Sequence, residues 1–584
     1  MYSSIKSVRY LVAALKAYDI RNIVIAPGGS DIPIIHSIET DSYFECYSGV
    51  DERSLVYFAI GLSQIKNEAV ACVCTSGTAV SNFLPGMTEA FYQDVPIVAI
   101  TADKNPYRLD HLEIQKIRQD NIFQNVVKAS VDLPLIESGE SEKSFLRELK
   151  ITLAQLRNNG QGPVHINLPI IEDFSVYDEA QLPDIQPIQC PNLLNPETWK
   201  TINKKIDQFN KIMIIAGQSI GYDDEFIDEI NSFVEKYNCV VICDYLSNLH
   251  CKKSLNAYPV LDLHNSFTLD SSLVPDLIIS FGNNLSSYVL KPFLRKYCQS
   301  TFHIEIDDTG RFRDPFDSLS ILVDCDPFCF FKEINKINRN SASGSNEYFN
   351  QWKKSSQEIN LLDFDLSSFR VAKELASRIP DNSILHVAIL NSTRLIQLFD
   401  LPSSVKVFSN IGALGIDGCL SSFIGQSAGH DGFSYCLIGD LSFFYDMNAL
   451  GIRNISNNAR IILLNNQGGS EFHYLMGKEV IPTINNFISA KHFKTAYGWV
   501  VSLGFDYYGV TTLDELTQAL DAAIMPSDNP IFIEVFLDME QDAMNLKEII
   551  TNNEPKTIKG TLHGIANKTL SRNTVTKIKK IMKK

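Results

Sequence analysis

In the segment IGDLSFFYDMNALGIRNISNNARIILLNNQGG (438–469), one apolar run ends at Gly439-Asp440 and a second ends at Asn465-Asn466. Asp440 and Asn466 stand 26 positions apart, with a helix-like stretch between them. One strand–helix–strand unit of that length sets two strand ends side by side at the carboxyl edge of a parallel sheet. Both side chains offer hard oxygen ligands, and Gly468 adds a main-chain carbonyl where a side chain would obstruct. Mg²⁺, or Mn²⁺, wants such oxygens and usually shares them with phosphates. Gly439 would let the backbone approach a diphosphate, and Ser442 could donate to it. A strand that ends in Gly-Asp is common, so the weight rests on the whole constellation.

Those residues need parallel strands to position them, and the chain is rich in candidates. Short apolar runs alternate with longer amphipathic ones, the pattern of an α/β protein. The first series is 22–28, 69–77, 95–103 and 163–169; each run ends in Gly, Asp, Pro or Ser/Thr. A second follows at 211–218, 239–245, 276–284 and 301–308, and a third at 383–392, 406–412, 434–440, 460–466 and 529–538. The proline-bearing stretch 184–196 and the Asn/Ser-rich stretch 338–350 read as linkers. The reading is three doubly wound parallel-sheet domains at 1–183, 197–337 and 351–545, with a basic tail at 546–584.

Composition narrows the function classes. A formal net charge of −16 over 584 residues argues against general nucleic-acid binding. No apolar run is long enough to span a membrane, and the N-terminal stretch reads as an amphipathic helix. Twelve cysteines occur without any C-x-x-C pair, which fits buried thiols in a reducing cytoplasm. The tail from Pro555 carries nine Lys/Arg and no Asp/Glu. It reads as a solvated segment or as a basic helix in peripheral contact with an anionic membrane.

The G-D-L-S to N-N pattern resembles the signature of thiamine-diphosphate enzymes. Further segments narrow the resemblance: SGVDERSLVYFAIGL (48–62), VCTSGTAVSNFLPGMTEAF (73–91), ITADKNP (100–106), IEIDDTGRFRDP (304–315) and SNIGALGIDG (409–418). Together they resemble the family of 2-succinyl-5-enolpyruvyl-6-hydroxy-3-cyclohexene-1-carboxylate (SEPHCHC) synthases, over residues 1 to about 540. The resemblance implies a pyrimidine-binding domain, a central domain without cofactor and a diphosphate-binding domain. It implies thiamine diphosphate and a divalent metal on Asp440, Asn466 and the Gly468 carbonyl. Leu414, Ile416, Gly439, Leu441 and Ser442 would flank the cofactor, with Ile416 as its aliphatic prop. Glu52, by itself a first-turn helix carboxylate, matches the glutamate that hydrogen-bonds the aminopyrimidine and drives proton removal. Gln115 matches a glutamine near the reacting centre. The implied reaction loses CO₂ from a 2-oxo acid and passes the acyl carbanion to an acceptor. The implied assembly is a homodimer or a dimer of dimers with sites between chains.

The substrate positions depart from that family. Ser30 and Ile411 stand where it has arginines, Ile396 replaces a third, and Arg394 comes two positions early. Asp31 and Glu471 add carboxylates, beside Asn391, Ser392 and Phe472 as further substrate-facing residues. Arginine forks are the usual means of holding carboxylates. The expectation is therefore a donor and acceptor with fewer negative charges, with Glu471 meeting a hydroxylated or amino-bearing acceptor or moving a proton. A divergent SEPHCHC synthase and a non-catalytic cofactor-binding scaffold stand as alternatives.

Overall fold

Runs such as VACVC (Val70–Cys74) and ARIILLN (Ala459–Asn465) have no polar alternation, and every residue in them is buried. A strand apolar on both faces must be covered on both, which is the parallel arrangement. The computed structural model describes residues 1–171, 176–188, 196–256, 258–263, 271–311, 313–337, 345–357, 359–453, 455–476 and 481–553.

Three six-stranded sheets form, and every strand pairing within them is parallel. The first has the spatial order Glu45–Ser48, Asn22–Ala26, Val70–Cys74, Ile97–Asp103, Val164–Pro169, Ala129–Asp132. The central sheet runs Leu319–Val323, Phe302–Ile306, Leu277–Phe281, Ile212–Ala216, Cys239–Cys243, Ser254–Asn256. The third runs Lys406–Phe408, Ile384–Val387, Ser434–Gly439, Ala459–Asn465, Ile531–Phe536, Asp506–Val510. Five strands were not expected from the sequence: Glu45–Ser48, Ala129–Asp132, Ser254–Asn256, Leu319–Val323 and Asp506–Val510. All five are sheet edges, half-covered and partly polar, so they lack the apolar run that marks the inner strands.

Two expected boundaries shift. Helix Glu347–Gln357 starts inside the second expected linker, and its Tyr348 and Trp352 pack with Met213, Ile215 and Val240 of the central core. Two buried aromatics outweigh the polar letters around them. Helix Met539–Asn553 runs past residue 546 and buries Ile549 in the third core. The basic stretch beyond it lies outside the described residues, as do positions 189–195 and 338–344 of the expected linkers.

Helix Glu52–Lys66 of the first domain crosses helix Cys419–Ala428 of the third. The crossing is close enough that a Cβ on Gly61 would lie 1.9 Å from the Ser422 carbonyl, and one on Gly425 would lie 2.0 Å from that of Phe58. Arg53 locks the end of this crossing, donating to the Asp417 carbonyl at 2.7 Å and pairing with buried Asp446 at 3.4 Å. Among the described residues, no helix is long and apolar enough to cross a membrane.

Candidate active site

The residues expected to hold a metal stand where strands Ser434–Gly439 and Ala459–Asn465 end as neighbours. Asp440 opens helix Asp440–Asp446 and is 2% exposed. One carboxylate oxygen accepts the Leu441 N–H at 2.6 Å, and the other accepts the Gly468 N–H at 3.0 Å. Gly468 has φ +152°, and a Cβ there would lie 2.7 Å from the Ser489 carbonyl, so glycine is required. Asn466 donates its amide N–H to Asp542 at 3.2 Å, which leaves its amide oxygen available. A buried carboxylate, an amide oxygen and a main-chain carbonyl form a hard donor set that fits Mg²⁺. Beside them, a Cβ on Gly439 would meet nothing within 4 Å, the open cradle that a diphosphate needs.

Two features of this site differ from the sequence reading. Ser442 donates its hydroxyl to the Ile416 carbonyl at 2.8 Å, so it pins the loop that carries half-buried Ile416. His492 was not foreseen. Its Nε2 lies 3.3 Å from an Asp440 oxygen and its ring packs edge-on against Phe444. His492 comes from a loop well beyond the motif, and nothing in the local sequence marks it. Leu390, Leu414 and Gln467 have positive φ (66°, 61° and 68°), a conformation that non-glycine residues rarely hold.

A second group forms at the first sheet, where strands Asn22–Ala26 and Val70–Cys74 end side by side. Ser30 donates its backbone N–H to Thr75 Oγ1 at 3.1 Å, and its hydroxyl meets that of Ser76 at 3.2 Å. Asp31 is fully buried; one oxygen accepts the Gly28 N–H at 3.0 Å and the other has no partner. Burial pushes its carboxyl up to about 7. Glu52 is the first residue of its helix, behind the Asp51 cap, and accepts from Asn82 at 3.4 Å. Gln115 sits in a loop, not on a helix, with φ 61°; it donates to the Ser76 carbonyl at 3.4 Å. Exposed Val50, Leu112 and Ile114 flank Glu52 and Gln115 in the chain.

A cavity of about 400 Å³ lies between the third domain and the central one, and of the expected substrate-facing residues Ile411 lines it. Leu414 and Arg394 of the third domain also line it, with Tyr288, Lys291 and Arg295 from the central domain. Glu471 is not free to meet a ligand: both its oxygens accept from the Arg394 guanidinium, one of them at 3.2 Å. The pair is largely buried, at 12% and 15% side-chain exposure. Arg394 also lies over the Tyr288 ring at 4.7 Å. Burial would lower the Arg394 pKa, but the Glu471 hydrogen bonds prevail and raise it. Asn391 donates to Ser470 Oγ at 2.8 Å, Ser392 is buried in the same short helix, and Phe472 is 40% exposed. Lys291 and Arg295 are cations that the sequence reading did not single out.

Residues 5–126 match the family described as thiamine pyrophosphate enzyme, N-terminal TPP binding domain. A solved structure of benzoylformate decarboxylase from Polynucleobacter necessarius superposes with a TM-score of 0.66 at 16% identity, covering 92% of this chain and 99% of that one. The chain is 34% identical to 2-succinyl-5-enolpyruvyl-6-hydroxy-3-cyclohexene-1-carboxylate synthase of Bacteroides thetaiotaomicron, across 94% of this chain and 99% of that protein. It is also 31% identical to the synthase of the same name from Desulfotalea psychrophila, across 89% and 96%. With that identity sustained over nearly the full length of both chains, the protein belongs to the SEPHCHC synthase family of thiamine-diphosphate-dependent enzymes.

Proposed function

We propose that this enzyme decarboxylates a 2-oxo acid with thiamine diphosphate and Mg²⁺ and transfers the resulting acyl carbanion to an acceptor, and that the pair carries fewer negative charges than the substrates of SEPHCHC synthases. The observation that carries the substrate reading is that Arg394, in the cavity wall, is paired with Glu471. A guanidinium already held by a buried carboxylate has no charge left to spend on a substrate carboxylate.

Asp440, Asn466 and the Gly468 carbonyl would hold the metal, and the open face at Gly439 would admit the diphosphate. The bound cofactor supplies a nucleophilic carbon and an electron sink for the loss of CO₂. The protein's part is proton handling and orientation. Glu52, at a helix start, would hold a proton against the aminopyrimidine. Leu414 and Ile416, fixed by the Ser442 bond, would support the cofactor from one side, and the cavity walls would exclude water. Gln115 would face the reacting centre from the first domain.

Glu52 and Asp440 belong to different domains, and apolar side chains lie exposed near both: Val50 and Ile114 on one, Phe487 and Phe493 on the other. A second copy of the chain covering those surfaces supports sites shared between subunits.

The test is CO₂ release from a panel of 2-oxo acids, with and without acceptors. Pyruvate or another small monoacid should outperform 2-oxoglutarate. A second reading, a true SEPHCHC synthase, is favoured by Lys291 and Arg295 in the same cavity wall. Efficient consumption of 2-oxoglutarate together with isochorismate would establish that reading and overturn the first.

A further inference from the structure

The first and third sheets share the strand order 2-1-3-4-6-5, and the central sheet has the order 3-2-1-4-5-6, yet all three have a switch point beside their first strand. In each, the first strand of the domain lies inside the sheet and the crossovers leave it in opposite directions, which opens a crevice at the carboxyl ends of two strands. In the first sheet that crevice holds the Ser30–Ser76 contact, and in the third it holds Asp440. The third copy lies between Ile212–Ala216 and Leu277–Phe281 of the central sheet, and the reaction proposed above makes no use of it. A cavity of about 820 Å³ opens there, floored by Ile215, Ser280 and Glu305 from three adjacent strands.

Its charged groups are unequal in status. Arg311 and Arg313 are held by Asp94, and Arg313 also by Asp307 at 3.2 Å. Lys291 and Arg295 are one helical turn apart and have neutral hydrogen-bond partners: Asn284 Oδ1 at 2.9 Å and the Pro315 carbonyl at 2.9 Å. The Asp317 carboxylate stands 3.8 Å from Arg295 and is itself 63% exposed. Burial, and then the Arg295 charge, hold Lys291 below the usual lysine range. Two adjacent cations without a close buried counter-ion suit a phosphate or diphosphate. In the floor, Glu305 is 6% exposed and its Oε2 has no hydrogen-bond partner. Burial pushes its carboxyl up to about 8, so at neutral pH it can both donate and accept. Phe91, Tyr92, Phe281 and Phe316 add aromatic lining for a planar ring.

We propose that the central crevice binds a nucleoside diphosphate, with the base toward Glu305 and the diphosphate on Lys291 and Arg295. These two cations and Asn284 also line the 400 Å³ cavity beside Leu414. A group attached to the terminal phosphate therefore points into the reaction cavity, and the nucleotide serves as the handle of the acceptor. This last step rests on the transfer reaction proposed above; binding in the crevice does not.

Isothermal titration of the full chain, preloaded with thiamine diphosphate and Mg²⁺, tests the site with uridine diphosphate, adenosine diphosphate and inorganic pyrophosphate. At least one nucleotide should bind about tenfold or more tighter than pyrophosphate. Lys291→Ala, Arg295→Ala and Glu305→Gln should each weaken it by about tenfold, while the thermal shift caused by thiamine diphosphate shows that the variants remain folded. Failure of both nucleotides to bind, pyrophosphate binding equally well, or affinity unchanged in all three variants overturns the site. A nucleotide that binds without inhibiting acceptor-dependent CO₂ release supports the crevice and overturns the handle. A chain that binds nucleotide but releases CO₂ from no 2-oxo acid supports the crevice and overturns the proposed reaction instead.

Discussion

Glu471→Gln separates the two substrate readings. The side chains of Arg394 and Glu471 are 12% and 15% exposed, so the pair is largely desolvated. Deleting one partner of a buried pair outright costs about 3–5 kcal/mol. Glutamine keeps one acceptor oxygen, and Arg394 keeps Asn391 Oδ1 at 3.3 Å and the Tyr288 ring, so the loss in stability should be nearer 1–3 kcal/mol. What the change releases is one guanidinium edge facing the cavity. A hydrogen bond from that edge to a substrate carboxylate is worth about 1.5–3 kcal/mol. That corresponds to a shift of about 10- to 150-fold in selectivity toward 2-oxo diacids over monoacids. The assay is CO₂ release with pyruvate and with 2-oxoglutarate, read as the ratio of kcat/KM values in wild type and variant. An unchanged ratio in a variant that still binds thiamine diphosphate would refute the claim that Glu471 withholds Arg394 from substrate.

Asp440→Ala should abolish the thermal stabilisation given by thiamine diphosphate with Mg²⁺; an undiminished shift would remove Asp440 from the metal site. Glu52→Gln should bind cofactor yet slow hydrogen–deuterium exchange at the thiazolium C2, followed by NMR after acid quench; wild-type exchange would end its role as proton relay. Mixing Glu52→Gln with Asp440→Ala subunits should restore part of the activity, and no recovery after demonstrated subunit exchange would count against shared sites. Asp31→Asn should stabilise the fold in a pH-dependent way. The carboxyl ionises near 3.8 when unfolded and near 7 when buried, so its penalty grows as pH rises between those values and is absent below them. Thermal unfolding should show a gain of about 2–4 kcal/mol near pH 8 and almost none near pH 4. A gain that is equal at both would place the effect elsewhere than in the buried charge.

The inner strands and the spacing of the proposed metal ligands were legible in the sequence, for a common reason. A strand buried on both faces must be largely apolar, and a ligand pair on successive strand ends must keep the spacing of one strand–helix–strand unit. Asp440, Asn466 and Gly468 meet for that reason, with the Gly468 N–H on the Asp440 carboxylate. Edge strands such as Ser254–Asn256 carry no such constraint, because half their surface faces solvent, and their residues look like loop. Helix Glu347–Gln357 was legible only as polar sequence until its Tyr348 and Trp352 found the central core. Side-chain partnerships between distant segments were decided by tertiary structure alone. Nothing in the sequence pairs Arg394 with Glu471, 77 positions away, or brings His492 to Asp440. A missing arginine and an added carboxylate each look like a change in the charge offered to substrate. Only the folded chain shows the carboxylate spending its charge on another arginine, because a buried ion is stable only where a partner of opposite charge has been brought to it.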